Sequence, residues 1–237
     1  MSETVSPTRR ERLHDATREE IKAIARRHMA EQGTAAISLR GIAREMGITA
    51  PALYRYYADR DELITALIVD AYNATADALE AVRDALPPAA TTERLLAMML
   101  AYREWAVAHP ADYALILGNP IPGYKAPSEI TTPAARRTLM LFMELIETAW
   151  QQGQLIPPAE YRELLPRFQQ QIVGGPQHYG AALPHPALEV VLGMWGKLHG
   201  LISLELFGHL QPIVGDPGEL YRFEALALLA RMGFKST

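Results

Sequence analysis

Gly47 is the position that most restricts what this chain can fold into. It divides the stretch SLRGIAREMGITAPALYRYY, residues 38–57, into two short segments. Each has helical apolar spacing and a polar residue suited to start a helix. Ala43, four residues before Gly47, is small and lets a second helix approach the first closely. Glycine takes the positive φ that a tight interhelical turn needs, because it has no Cβ to clash. Leu53, six residues after Gly47, is large and apolar and is placed to insert between the helices, with Ile42 and Ile48 adding to the wedge. This spacing is the steric pattern of a helix-turn-helix.

The capping residues agree with it. Ser38 starts a helix over Leu39 to Met46, which Gly47 stops. Thr49 starts the next, from Ala50 to about Tyr57. Pro51 falls in its first turn, where a missing N–H loses no intrahelical bond. Asp59 starts a long helix from Arg60 to about Leu86, with Glu62 as the carboxylate variant of a capping box, and Pro87-Pro88 end it. Ahead of the motif a first helix runs from about Arg10 to Gln32, with Ile21, Ile24, Ala25, His28 and Met29 on one side and Gly33 as its stop.

The second helix of such a motif lies in the DNA major groove with its N-terminal residues at base edges. That puts Thr49, Ala50, Pro51 and Ala52 nearest the bases, where their groups suit thymine methyls and modest polar contacts. Tyr54 and Tyr56 each offer an apolar ring to pack and a hydroxyl for phosphate. Arg55 and Arg60 neutralise phosphates, Arg60 from a helix start whose N–H groups also favour an anion. Ser38 and Arg40 open the preceding helix and grip the flanking backbone in the same way. A second reading makes Tyr54 and Tyr57 core residues of a three-helix bundle, and for Tyr57 both stand.

Composition bounds the rest. The 237 residues, 49% hydrophobic and 21% charged, are ordinary for a globular protein with a sizeable core. With no cysteine there is no disulfide, thiolate metal site or thiol nucleophile, which suits the reducing cytoplasm. The opening MSETVSPTRRERLHD lacks the apolar run of a signal peptide. The most apolar long stretch, Leu188 to Leu210, is interrupted by Glu189, Lys197, His199 and Glu205, which argues against a membrane span. Net charge is −4, but residues 1–64 carry +1 and the remainder −5. This mild asymmetry allows a local DNA footprint at the N-terminal end without establishing one.

Helical periodicity continues, and no strand alternation interrupts it. Further helices are expected at about Thr92–Ala108, Pro110–Leu117, Pro133–Gln152, Ala159–Ala182, Pro186–Leu210 and Pro217–Met232. Pro166 and Gly174-Gly175-Pro176 kink or split the fourth of these. The segment from Gly118 to Thr132 is the longest loop.

A first helix followed by SLRGIAREMGITAPALYRYYADRDELI resembles the DNA-binding domain of TetR-family transcriptional regulators, over about residues 14–64. Arg60 stands where that family usually has lysine, and Arg40 where a smaller residue is common. Either arginine can meet phosphate. The resemblance implies an all-α protein. Residues 1–8 would be a disordered tail, residues 9–59 a three-helix helix-turn-helix DNA-binding domain, and residues 60–237 a larger helical ligand-binding and dimerisation domain. It also implies a one-component regulator, a repressor that binds a palindromic double-stranded DNA operator as a homodimer and is released by a small-molecule inducer. No cofactor and no membrane partner are expected.

The segment MWGKLHGLISLELFGHL contains Trp195-Gly196-Lys197-Leu198-His199-Gly200 and resembles a TetR subgroup named for a Trp-His-Gly signature, over about residues 90–233. Gly193, Gly196 and Gly200 recur at helical spacing. Each costs a helix up to ~1 kcal/mol relative to alanine, so three together point to close approach of another helix. That helix belongs either to a two-fold partner, with Leu204 and Leu226 completing the interface, or to the same chain.

An inducer pocket is expected among Met98, Tyr102, Trp105, Tyr113, Leu117, Phe142, Ile146, Trp150, Phe168, Ile172 and Trp195, with Tyr124, His178 and Tyr179 as polar candidates. Each of these also reads as core. His199, between glycines, reads as a packed histidine bonded to a neighbour. The other histidines show no metal-ligand spacing, and no nucleophile elbow or Walker-type loop occurs. No metal and no catalytic residue are expected. The rival reading is an all-helical enzyme or small-molecule carrier whose N-terminal bundle is purely structural. It needs a convergent acid, base or nucleophile set, and the sequence shows none.

Overall fold

The computed structural model describes residues 8–156 and 185–234. The chain is all-α. Its described helices are α1 (Arg9–Gln32), α2 (Leu39–Glu45), α3 (Ala50–Leu53), α4 (Arg60–Asp84), α5 (Thr91–Ala108), α6 (Pro110–Leu117), α7 (Ser128–Gln151), α8 (His185–Leu206) and α9 (Pro217–Arg231). One antiparallel bridge, Leu155 to Phe234, is the sole β pairing among the described residues. The expected helix Ala159–Ala182, with Phe168, Ile172, His178 and Tyr179, and residues 1–7 of the expected tail 1–8 lie outside the described residues, while Thr8 of that tail is the N-cap of α1.

Most helix ends follow their capping chemistry. Thr8 and Glu11 form a reciprocal capping box at α1, and the N–H of Gly33 closes its other end on the Met29 carbonyl at 2.8 Å. Asp216 accepts from the N–H groups of Gly218 and Glu219 to start α9. At α4, Asp59 accepts from the N–H of Glu62 at 2.8 Å, while the Glu62 carboxylate takes the N–H of Ala58, one residue before the capping-box position. Two ends differ from expectation. Helix α3 stops at Leu53 instead of running to Tyr57. Helix α7 starts at Ser128, five residues before the proline expected to open it. Its first turn closes on the Pro127 carbonyl, which accepts from the N–H groups of Ile130 and Thr131 and from the Thr131 hydroxyl. Pro133 then removes one bond from a helix already begun.

The chain divides into two compact units, each with its own core. The first comprises the residues up to Ala71 together with His109–Thr131, and the second Tyr72–Ala108 with the residues from Thr132 onward. This differs from a boundary at residue 59, for a reason visible in side chains. Arg26 of α1 donates from Nε to Asp112 of α6 at 3.1 Å and from Nη2 to Asp70 of α4 at 3.3 Å. Lys22 donates to Asp70 at 2.5 Å and pairs with Glu19 at 2.6 Å. Burial alone would push the Lys22 ammonium pKa down, but the bonds to Asp70 and Glu19 outweigh it and hold it above its usual value. The Tyr124 and Thr65 hydroxyls meet at 2.9 Å. These links fasten α6 and the loop after it to α1 and the start of α4.

The core of the second unit is built from Leu95, Met98, Met99 and Tyr102 of α5, Phe142 and Ile146 of α7, Met194, Leu198 and Ile202 of α8, and Tyr221 and Ala225 of α9, all buried. Polar clasps fix the register. Arg103 meets both oxygens of Glu205, at 2.7 and 2.5 Å, and the Tyr221 hydroxyl donates to the Met99 carbonyl at 2.8 Å. Arg94 donates to the Arg83 carbonyl at 2.9 Å, occupying an acceptor at the end of α4.

Replacing Asp112 by alanine removes a nearly buried acceptor and leaves Arg26 with Asp70 alone. The expected loss is about 1.5–3 kcal/mol, the range for a hydrogen bond to a charged group. Urea unfolding monitored by circular dichroism measures it, and an unchanged midpoint would mean that α6 is held by apolar contact only.

Candidate nucleic-acid interface

The α2–α3 corner is built as its spacing predicts. Gly47 has φ +67°, and a Cβ there would have nothing within 4 Å, so its glycine requirement comes from the backbone and not from crowding. The Ile48 N–H returns to the Ala43 carbonyl at 3.0 Å and closes the turn. Ile42, Ala43 and Leu53 are buried, as the wedge requires. Tyr57 is fully buried, which decides its two readings in favour of core. Burial raises the pKa of its hydroxyl, and the Arg18 guanidinium lies 4.2 Å from its ring centroid. Arg18 also donates to the Tyr56 carbonyl at 2.5 Å. The turn after α3 is therefore held on both sides of Tyr56.

The surface of this corner is polar and open. Ser38, Arg40, Thr49, Pro51, Tyr54 and Arg55 are exposed, and Ala50, Ala52, Tyr56 and Arg60 are half-buried. Tyr54 is 44% exposed, while Tyr56 packs its ring on His14 at 4.9 Å between centroids. Ser38 accepts from the Gly41 N–H at 3.3 Å, so its hydroxyl is engaged as a cap. Thr49 occupies the N-cap of α3 but makes no side-chain cap bond, and its hydroxyl remains exposed. Arg60 is engaged inside the chain, an arrangement its position in sequence does not reveal. It donates from Nε to the Ile37 carbonyl at 2.9 Å and from Nη2 to the Ala35 carbonyl at 3.3 Å, tying down the turn that leads into α2. Glu45 of α2 is bridged by Arg27 and His28 of α1, the latter at 2.8 Å, which anchors the other side of that helix.

The ligand and dimer candidates separate into three groups. Met98, Tyr102, Trp105, Phe142 and Ile146 are buried in the second unit, with Trp150 half-buried. Tyr113 is buried in the first unit. Trp195 is 44% exposed and stacks on His199 at 5.6 Å, so it does not line an interior. The reason is register. The buried side of α8 runs through Val191, Met194, Leu198 and Ile202, and Trp195 projects one position away from it. Gly193 and Gly196 are exposed and Gly200 half-buried; at none of the three would a Cβ meet a described atom within 4 Å. Exposed apolar side chains include Leu192 and Leu204 of α8, Phe207 just after it and, on α9, Leu226 and Phe223, the last 65% exposed. Among the described residues no three His, Asp or Glu side chains converge as a metal site would need. No described helix is long and apolar enough to cross a membrane.

Family comparisons agree with this architecture. Residues 21–67 match the model described as "Bacterial regulatory proteins, tetR family", and residues 95–228 the one described as "Tetracyclin repressor-like, C-terminal domain". The HTH-type transcriptional regulators Rv1816 of Mycobacterium tuberculosis (strain ATCC 25618 / H37Rv) and Mb1846 of Mycobacterium bovis are each 32% identical over 223 residues, covering 90% of this chain and 92% of theirs. The solved structure of regulatory protein SCO4313 superposes with a TM-score of 0.76 at 35% identity, covering 95% of this chain and all of that one. RolR in complex with resorcinol shares the fold at a TM-score of 0.50 and 17% identity, covering 94% of this chain and 91% of that one. The chain belongs to the TetR family of transcriptional regulators. It is a DNA-binding regulator and not an enzyme.

Replacing Leu53 by alanine removes the wedge from a well-packed corner and is expected to cost about 2–5 kcal/mol. Gly47→Ala places a Cβ at positive φ in open space and is expected to cost about 1–2 kcal/mol. Thermal or urea unfolding of the two variants checks the order; a Gly47→Ala protein as stable as the parent would show that the turn relaxes to another conformation.

Proposed function

We propose that this protein is a ligand-responsive repressor that binds a palindromic operator as an isologous dimer in the cytoplasm. The observation that carries the DNA geometry is the exposed α3 corner, whose Thr49 hydroxyl is uncommitted while the residues behind it are buried. Thr49, Ala50, Pro51 and Ala52 face base edges, and Ser38, Arg40, Tyr54, Arg55 and Tyr56 grip the flanking phosphates. Arg60 acts from behind, by holding the turn that positions Ser38 and Arg40. Tyr54→Ala combined with Arg40→Ala is expected to lower affinity for the gene's own upstream DNA at least tenfold, which is about 1.4 kcal/mol. Fluorescence anisotropy against a scrambled duplex measures it, and unchanged affinity would remove Tyr54 and Arg40 as phosphate grips.

The dimer rests on the α8–α9 face. Three glycines of α8, whose added Cβ atoms would meet no described atom within 4 Å, and the exposed Leu192, Trp195, Leu204, Phe223 and Leu226 supply small and apolar groups of the kind that helices of two subunits cover. The Trp-His-Gly resemblance falls on this same segment and is carried by those few residues. A paired copy would present two α3 helices to half-sites one helical turn apart, about 34–36 Å. Leu204→Glu combined with Leu226→Glu is expected to give a folded monomer by light scattering, with loss of operator binding. A dimer that survives both charges would place the interface elsewhere.

Release by a small molecule rests on the buried aromatic set Tyr102, Trp105 and Phe142 with Met98 and Ile146, together with the half-buried Trp150. RolR, of the same fold, is a complex with resorcinol. The ligand shifts the DNA-binding equilibrium only by its difference in affinity for the two geometries, typically 1–3 kcal/mol. Helix α4, which contributes to both units, is the continuous element able to carry that difference.

A further inference from the structure

We infer that the first turns of α1, together with Arg55 and Tyr56, form a second phosphate-gripping surface that extends the DNA footprint beyond the helix-turn-helix. This rests on the reading of the chain as a DNA-binding regulator. A groove of about 670 Å³ lies in the first unit, with walls that include Arg9, Arg10, His14 and Thr17 of α1 and Arg55 and Tyr56 of the turn after α3. Arg10, His14 and Thr17 recur at four- and three-residue spacing and so share one helix face, with Arg9 next to Arg10 at its start. Among the described residues no carboxylate lines the groove. The guanidinium groups of Arg9, Arg10 and Arg55 make no ion pair with a described residue, although ion pairs are common elsewhere in the molecule.

The nearby acids are occupied or outside. Glu11 accepts from the Thr8 N–H at 2.7 Å as part of the α1 cap, which holds its carboxyl below the usual pKa range. Asp15 is exposed, 3.7 Å from His14 Nδ1. One wall of the groove is held in place by built contacts. Tyr56 is fixed by its ring contact with His14 and by the bond from Arg18 to its carbonyl. Three like charges gathered on a concave surface repel one another unless an anion sits between them. Successive phosphates of a DNA backbone supply one, and the groove joins the α3 corner through Arg55. These contacts carry no base information, so they add affinity and orientation and leave specificity to α3.

The full-length protein is titrated into a labelled generic duplex of about 30 base pairs and into DNA from the gene's own upstream region, across a range of salt. Removing one cationic grip on a phosphate lowers the slope of log affinity against log salt by about 0.9. Arg9→Ala combined with Arg10→Ala is expected to flatten the slope by about that amount or more per subunit on both duplexes, with the preference for upstream DNA unchanged. Arg9→Lys with Arg10→Lys is expected to restore the slope, because the charge is retained. Both arginines are exposed and pair with no described residue, so circular dichroism of the variants should match the parent. An unchanged slope in the alanine variant, or an effect confined to the preference for upstream DNA, overturns the inference and leaves the regulator reading intact. Failure of the parent to bind either duplex at low salt overturns the DNA-binding reading itself, and this inference with it.

Discussion

The functional corner depends on holding a helix that cannot hold itself. Helix α3 is one turn long, far below the length at which a helix persists alone in water. Its direction is therefore set by side chains outside its hydrogen bonds. Leu53 and Tyr57 enter the core just behind it, Gly47 makes the approach to α2 geometrically possible, and Arg18 grips the turn that follows. Arg40, Thr49, Pro51, Tyr54 and Arg55 stay exposed on that corner. The anchors lie inside and the polar groups outside, on a segment only a few residues long.

Charge performs the corresponding work between helices. Lys22, Arg26, Asp70 and Asp112 link α1, α4 and α6 in one chain of contacts. A displacement of α6 cannot leave α1 unaffected while Arg26 bridges both carboxylates. Helix α4 enters the same network through Asp70 and continues into the second unit. Asp70 thus ties α4 to both α1 and α6 within the first unit, through Lys22 and Arg26.

Much of the helix pattern was legible because it rests on local chemistry. Ser38, Asp59, Gly33 and Gly47 act through bonds that span a few residues, and each stands where its type predicts. The remaining features depend on contacts and register steps that residue type alone does not show. Pro133 looks like a helix start until the Pro127 carbonyl and the Thr131 hydroxyl are seen to begin α7 earlier. Arg60 has the position of a phosphate ligand, and only the fold brings the carbonyls of Ala35 and Ile37 within its reach. Trp195 has the size of a pocket residue, yet lies one register step from the buried side of α8. The groove at Arg9 and Arg10 joins residues more than forty positions apart in the chain, and no spacing rule connects them to Arg55.

By itself, then, the sequence determined the all-α class, the helix-turn-helix and the family, because caps, a turn glycine and a wedge leucine act over distances shorter than one helical hairpin. Tertiary structure decided which polar groups remain uncommitted. It committed Arg60 to carbonyls and Tyr57 to the core, gathered Arg9, Arg10 and Arg55 around one groove without a described carboxylate, and turned the glycine face of α8 outward. The physical reason is that a side chain's freedom depends on which distant donors and acceptors the fold carries to it. Periodicity along the chain holds no record of that.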